Sequence, residues 1–347
     1  MKNLSTSILG LLLTLTAFSA SAQTIRRVNN TGLTGAGIFT DLPAAYTASA
    51  AGDIIQIEPS GTAYTGIIVN KNVTIVGPGY FLDPTTQNAG LQANPLTATV
   101  ARIAVQAGGA SAYIAGLTVG DYVVEASNVT VQRCNITANL YLNASGLDGT
   151  TSQAVTGITV KQCYISQYLN PYTGSAVDNL TFINNIINGD TGYNGFPVNY
   201  NGGFFNNVVI TPNPNRTFKL SNFFVTNNYF DAVSLLVQGN GNTLSNNISA
   251  RNDLSAGSGN QTGISQAQVF TLAPGSVAFD GWYVLRTGTN PARGSGVGGT
   301  DVGAFSTYSS NAPYKLGGLP AIPAIYQQSQ TITGNSLNGS LSTRSNN

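Results

Sequence analysis

The stretch "NLTFINNIING" (residues 179–189) sets two adjacent asparagines inside an otherwise apolar, strand-like run. An unpaired amide in an apolar interior costs roughly 1–3 kcal/mol, so the pair needs a reason. The same pair recurs in "GGFFNNVVI" at Asn206 and Asn207, in "FFVTNNYFD" at Asn227 and Asn228, and in "NTLSNNIS" at Asn246 and Asn247. When the second asparagines are aligned, Phe182, Phe204, Val225 and Leu244 lie three residues before and Ile187, Val209, Phe230 and Ser249 two residues after. Cys134, between Val131 and Ile136, and Cys163, between Val160 and Ile165, take the asparagine place in two earlier copies. Leu117 fits the template further upstream and Pro78 fits it loosely.

The steps between these positions are 39, 17, 29, 22, 22, 21 and 19 residues. Thirty-nine reads as about two ordinary steps, and 29 as one step plus a loop. A period near 20 with short strands and turn residues marks a stack in which no single repeat buries its own face. Leucine-rich repeats share the period, but their fixed leucine spacing is missing. The pattern predicts an all-β chain, a right-handed parallel β-helix built as a single solenoid. Equivalent residues then stack about 4.8 Å apart. Asn185, Asn207, Asn228 and Asn247 are expected to form an inward hydrogen-bonded ladder, with Cys134 and Cys163 as small free-thiol plugs in the same column. The outer member of each pair, such as Asn206, is expected to tolerate replacement.

Here the chain resembles the pectate-lyase-like superfamily of secreted β-helix proteins. "AAGDIIQIEPSGTAYTGIIVNKNVTIVGPG" (50–79) is similar to the opening of many members, and "YVLRTGTNPARGSGVGGTDVGAF" (283–305) to a common closing segment, with Asn290 where serine is usual. The resemblance covers roughly residues 40–305 and implies fold rather than activity, because the superfamily includes lyases, hydrolases and adhesins.

Residues 1–22 read as a secretory signal peptide: Lys2, an apolar stretch Ile8–Phe18, then Ala20-Ser21-Ala22 before Gln23. A secreted or cell-surface location follows as an expectation, with no transmembrane segment. Residues 23–52 are read as an N-terminal segment with a capping helix near 40–50, begun by Thr40 or Asp41. Residues 53–305 are read as the β-helix, irregular from about 251, with insertions at roughly 82–101 and 138–154 and a loop at 189–201. Residues 306–347 are read as an extended, proline-punctuated segment along the outside of the solenoid and a polar tail.

With 14 basic and 13 acidic residues and no histidine, the net charge of +1 makes no case for nucleic acid. The polygalacturonase and pectate lyase motifs are missing from this sequence. The nearest approach to an acidic site is Asp121, Glu125, Asp148 and Asp178, with Arg133 and Lys161 close by. No metal site or cofactor is expected. Tyr164, Tyr168, Tyr172, Tyr193 and Tyr200, together with Arg133 and Lys161, make the expected ligand surface: a groove between loops 138–154 and 189–201, floored by Tyr164 and Tyr168. Tyrosines flanked by Asn and Thr suit sugar rings, so the expected partner is a neutral polysaccharide bound without catalysis. The alternatives are an atypical polysaccharide lyase or glycoside hydrolase, and a structural or adhesive envelope protein.

Overall fold

The structure is a computed structural model. It describes residues 23–345, except 84–87, 89, 144–153, 173, 175, 192–194, 212, 214, 216, 238–239, 256, 273–278 and 309–311. The signal-peptide reading therefore lies outside the described residues, as do Asp148 and Tyr193.

Two long parallel sheets dominate the chain, which is all-β with few and short helices. The chain crosses from one sheet to the other at each asparagine pair, adding a strand to each sheet as it goes. In the first sheet Val131, Val160, Phe182, Phe204, Val225 and Leu244 are successive register partners. In the second the partners are Ile136, Ile165, Ile187, Val209, Phe230 and Ser249. These are the template positions three before and two after the aligned residue, so the sequence period and the hydrogen-bond register coincide. All of these but Ser249, a buried polar residue, lie in the main hydrophobic core between the sheets, with Leu244 partly buried beside it.

The 39-residue step is not two repeats. Thr74–Val76 pairs directly with Tyr113–Ala115, so the intervening chain is one pass carrying an insertion. The same pass supplies Thr99–Val105 as its strand of the second sheet, pairing Ile67–Val69 on one side and Thr118–Val124 on the other.

At the N-terminal end, Ile25–Val28 pairs with both Ile38–Phe39 and Ile54–Ile57. The helix Leu42–Ala48 begins at Asp41, whose Oδ1 accepts from the Ala44 N–H at 2.8 Å, and Pro43 occupies its first turn. It buries Leu42, Ala45 and Tyr46 in the main core.

The inner asparagines stack. Asn185 Nδ2 donates to Asn207 Oδ1 at 2.9 Å, Asn207 to Asn228 at 3.1 Å, and Asn228 to Asn247 at 3.0 Å. Each acceptor oxygen also takes the backbone N–H of the asparagine one pass back, at 2.7–3.0 Å. Each amide makes a further bond to a carbonyl of the preceding pass: Val160, Phe182, Phe204 or Val225. The stack ends on Asn260, which accepts from Asn247 Nδ2 at 3.1 Å. At the other end Asn185 Oδ1 accepts from the Cys163 N–H, and the Cys134 N–H approaches Cys163 Sγ at 3.5 Å. Both cysteines are free and buried.

The outer asparagines behave differently from the expectation. Asn184, Asn206, Asn227 and Asn246 adopt φ of +53° to +58°, as do Arg133 at +51° and Gln162 at +56°. Asparagine tolerates this left-handed region better than other non-glycine residues. The conformation turns each outer side chain away from the core and onto the C-terminal segment. Asn246 donates to the Ser295 carbonyl at 2.8 Å, and Asn227 accepts from the Val297 N–H at 2.9 Å. Asn184 donates to the Ala304 and Ser306 carbonyls at 2.7 and 2.9 Å. Gln162 donates to those of Ala312 and Pro313, both at 2.7 Å, and Arg133 to that of Leu319 at 2.7 Å. Asn206 reaches the Tyr308 carbonyl at 3.4 Å.

The C-terminal segment thus runs back along the row of bends, from Ser295 to Leu319, as a strap. The expectation that irregular coils of the β-helix continue from about 251 to 305 is corrected here, since after Ile248–Ser249 no named strand is added to either sheet. Instead the segment covers the outside of the second sheet. Tyr164, Ile186, Val208, Tyr229 and Ile248 form a second core with Val269, Phe270, Tyr283, Leu285, Ala292, Val302, Ala304 and Tyr314. Burying each such side chain contributes about 1.5–3 kcal/mol before entropy. The strap meets the early passes closely: Gly318, at φ +54°, lies under the Tyr80 ring, where any Cβ would collide. The polar tail is built into a two-stranded element. Ala324–Thr333 and Ser336–Arg344 form an antiparallel ribbon.

Both amides of a pair should therefore matter. Asn207→Leu should cost several kcal/mol, by stranding two neighbouring amides, and Asn184→Leu about 2 kcal/mol, from lost strap bonds and left-handed strain. Asn184→Gly, which keeps the backbone at ease, should cost less than Asn184→Leu. Urea melts check the order, and a silent Asn184→Leu would contradict it. Both thiols should react with a disulfide reagent only in denaturant, and reductant should leave the melting midpoint unchanged.

Candidate functional site

Of the expected acidic residues, Asp121, Glu125 and Asp178 do not assemble, and Asp148 lies outside the described residues. Asp121 lies on Thr118–Val124 in the second sheet, whereas Asp178 lies on Val177–Ile183 in the first. Asp178 is exposed and accepts from Asn201 Nδ2 at 2.6 Å, while Glu125 is buried. No group of three or more His, Cys, Asp or Glu among the described residues could hold a metal.

The expected groove is also removed. Tyr164 is 2% exposed beneath the C-terminal segment, edge-on to Phe81 at 5.0 Å, and burial pushes its hydroxyl pKa up to about 12. Arg133 is 3% exposed, with Nε donating to Gln162 Oε1 at 2.8 Å and the guanidinium closed over by Leu319. Burial lowers its pKa. Lys161 sits half-buried on the first sheet, its pKa lowered by desolvation and then by Arg133. Tyr200 points into the core, donating to the Leu142 carbonyl at 2.9 Å and packing edge-on to Phe196 at 5.7 Å. Tyr172 is exposed and Tyr168 half-exposed, but neither meets Tyr164 across an open floor.

One face is partly exposed: the outside of Ile67–Val69, Thr99–Val105, Thr118–Val124, Asn139–Leu142 and Tyr168–Pro171, where Ile68 is exposed, Arg102, Asp121, Asn139, Tyr141, Tyr168 and Asn170 are half-buried, and Ala104 and Val123 are buried. Alternation along these strands sends Ile103, Tyr122, Leu140 and Leu169 inward and their neighbours outward. Register sets the outward residues in two columns. One runs Ile68, Ala104, Val123, Tyr141, Asn170. The other pairs Arg102 with Asp121, and Asn139 with Tyr168, which in turn bridges to Asp190.

Asp121 Oδ1 accepts from Asn139 Nδ2 at 2.9 Å and its N–H at 3.2 Å, and Asn170 Nδ2 donates to Asn139 Oδ1 at 2.7 Å. Tyr141 stands within electrostatic reach of both charges: partial burial first, then Asp121, raise its pKa, and Arg102 opposes them. Tyr141 and Tyr168 are diagonal neighbours on adjacent strands, within reach of one ligand. A shallow depression of about 320 Å³, lined by Gly66, Ile67, Ile68, Arg102 and Ala104, continues the face. Arg102, Asn139, Tyr141 and Asn170 escaped the sequence reading. The signal for them was the alternation in "NLYL" and "YLNP", set 29 residues apart, which is the same step as Cys134 to Cys163.

A larger cleft of about 550 Å³ lies between Gln56–Pro59, Gln92–Pro95 and the C-terminal residues Pro320 and Ile322–Ile325. Its carboxylate, Glu58, is held by Arg27 and Asn29, so it offers no free acid–base group.

A third cluster is buried under the strap. Asp280, with no exposed surface, accepts from the Gly317 N–H at 2.7 Å and Asn88 Nδ2 at 3.0 Å. Tyr314 bonds it as well and also touches the Tyr80 hydroxyl. No cation pairs with Asp280 among the described ion pairs.

Compared with known proteins, no family model matches the chain, and no match emerges among curated proteins or solved structures.

Desolvation raises the Asp280 pKa from 3.8 to about 6. The native state therefore holds this proton at pH values where the unfolded chain has released it. That contribution to stability is full below about pH 4, is lost as pH rises through 6, and then stays level. It amounts to about 3 kcal/mol. Asp280→Asn should lack this slope, so subtracting its pH–stability curve from that of the parent should isolate it. Parallel curves between pH 4 and 6.5 would contradict the assignment.

Proposed function

We propose that the chain is an exported right-handed parallel β-helix of the pectate-lyase-like kind, plugged at its N-terminal end by the helix Leu42–Ala48. Its function in this reading is to bind a neutral polysaccharide on the partly exposed face around Tyr141 and Tyr168 without cleaving it. The observation that supports this most is the juxtaposition of two half-exposed tyrosines with the Asp121–Asn139–Asn170 hydrogen-bonded row. Tyrosine rings offer sugars a stacking surface, and neighbouring amides and a carboxylate bond to hydroxyls. Strands about 4.8 Å apart present one such set per pass, close to the length of one pyranose along the stack.

Charge favours a neutral ligand. Arg102 and Asp121 are register neighbours of opposite sign, and the chain carries a net charge of only +1. Asp121 already spends an oxygen on Asn139, which suits holding a hydroxyl better than moving a proton. The signal-peptide reading of residues 1–22 supports the extracytoplasmic setting. No helix among the described residues is long and apolar enough to cross a membrane.

Affinity electrophoresis and calorimetry with neutral glucan, mannan, xylan and galactan, beside polygalacturonate and alginate, test the reading. At least one neutral polymer should bind, with Tyr141→Ala and Tyr168→Ala each weakening it about tenfold, as expected for a lost stacking contact worth about 1–1.5 kcal/mol. Lys161→Ala, on the other sheet, should leave binding unchanged. Release of reducing or unsaturated ends, or retention by the anionic polymers alone, would overturn it.

A further inference from the structure

The Asn88 amide and the backbone N–H groups of Gly317 and Gly281 all donate to the Asp280 carboxyl. Its fourth partner, the Tyr314 hydroxyl, also bonds the Tyr80 hydroxyl, which reaches the Gln162 carbonyl at 3.4 Å. A chain of three links results: Asp280 to Tyr314, Tyr314 to Tyr80, and Tyr80 to Gln162. All four residues are buried. Three links need three protons, and the two hydroxyls supply two. All three close only when the carboxyl carries the third proton and donates it to Tyr314, the one neighbour placed to accept it. With Asp280 ionised, Tyr314 turns its proton to the carboxylate and Tyr80 turns its own to Tyr314. The Gln162 carbonyl then loses the hydroxyl inside the protein, which is costly for a buried acceptor.

The chain ties the end of the strap to the stack. Tyr314 and Gly317 belong to the strap, Gln162 to a bend between the sheets, and Tyr80 to the pass that follows Thr74–Val76. The Tyr80 N–H also donates to the Gly317 carbonyl at 2.7 Å. Gly317 and Gly318 both take positive φ, +69° and +54°, so a freely rotating joint sits at the point of attachment. Just past it the Leu319 carbonyl closes over Arg133 Nη1 at 2.7 Å.

We propose that the Asp280 proton latches the strap: with it in place Tyr314–Leu319 stays closed on Tyr80 and Gln162, and its release lets this segment open while the stacked sheets stay folded. Opening gives the carboxylate the water that the closed strap denies it, and uncovers the Arg133 guanidinium. No cation substitutes for that water, since none of the described ion pairs includes Asp280. The charged side chains on the neighbouring segments, Asp83 and Lys315, lie exposed and half-buried. The other titratable groups around the cluster are Tyr164, Tyr283 and Cys163, with Cys134 and Arg133 beyond Tyr80. Burial raises the Tyr80, Tyr164, Tyr283 and Tyr314 hydroxyls and the Cys163 thiol, so these keep their protons where Asp280 titrates.

The closed strap holds the Asp280 pKa at about 6 against 3.8 in water, so opening should become about a hundredfold easier as pH rises past 6. Hydrogen–deuterium exchange of the full chain, read by mass spectrometry from about pH 4.5 to 7.5 and corrected for the intrinsic rate, measures it. Peptides spanning Gly317 and Gly318 should be less protected than those of the asparagine stack at every pH, and their protection should fall about a hundredfold across the range. Asp280→Asn, which cannot ionise, should abolish the fall. Tyr80→Phe should shrink it, because Tyr314 can then serve the carboxylate without taking a proton from the Gln162 link. A role in packing alone would instead shift the Tyr80→Phe protection equally at both ends of the range. Circular dichroism and melting verify that the variants fold, and should Asp280→Asn fail, the slope of Tyr80→Phe decides. Strap protection equal to that of the stack, protection that ignores pH, or an undiminished fall in a folded variant would overturn the proposal.

Discussion

Each crossing from the first sheet to the second is a sharp bend, and at four of them the bend carries two amides with opposite duties. The inner amide must be satisfied within the core, and it is, because the next pass places an identical amide at hydrogen-bond distance. The outer amide follows from the same backbone reversal. Its left-handed φ turns the side chain outward, where it holds the returning C-terminal segment. One bend therefore fixes both the register between passes and the track of the strap. The inner bonds are repetitive and nearest-neighbour, so they propagate order along the stack. The outer bonds join residues more than 45 positions apart in sequence, and so couple passes that would otherwise meet only their neighbours.

That division explains which surface is left for a ligand. The strap and its second core occupy the outside of the second sheet from Tyr164 to Ile248, which takes Tyr164 and Arg133 out of reach. The neighbouring strands, from Ile67 to Pro171, leave their outward tyrosines, amides and charge pair half-buried rather than covered by the strap. A tyrosine next to asparagines can serve either as packing for a strap or as a platform for a sugar. What separates Tyr164 from Tyr168 is only whether the C-terminal segment passes over it.

The inner asparagines, the two cysteines and the register of the core were legible in the sequence because all obey one local period. The inward phase of Phe182, Phe204 and Val225 followed from spacing alone. What escaped was non-local. Nothing near Asn184 or Asn206 announces a partner some hundred residues downstream, and periodicity marks a residue as not inward without saying what it meets. The 39-residue interval misled for a related reason: extra chain ahead of the strand Thr99–Val105 mimics a missing repeat by length. The site was half legible. Tyr168 stood out as an aromatic, whereas Tyr141 needed the 29-residue step to be carried across the bend onto the next strand. Asp121 looked like part of an acidic cluster because sequence proximity cannot tell which sheet a residue joins.

The central claim is that the inner asparagine amides are closed to water by one another. Side-chain amide hydrogen exchange of Asn207 and Asn228, followed by NMR on selectively labelled chain, measures this directly. The account predicts that both pairs of amide protons exchange only through global unfolding, with protection that matches the most stable backbone amides. Exchange at the rate of an exposed asparagine such as Asn213 would contradict it.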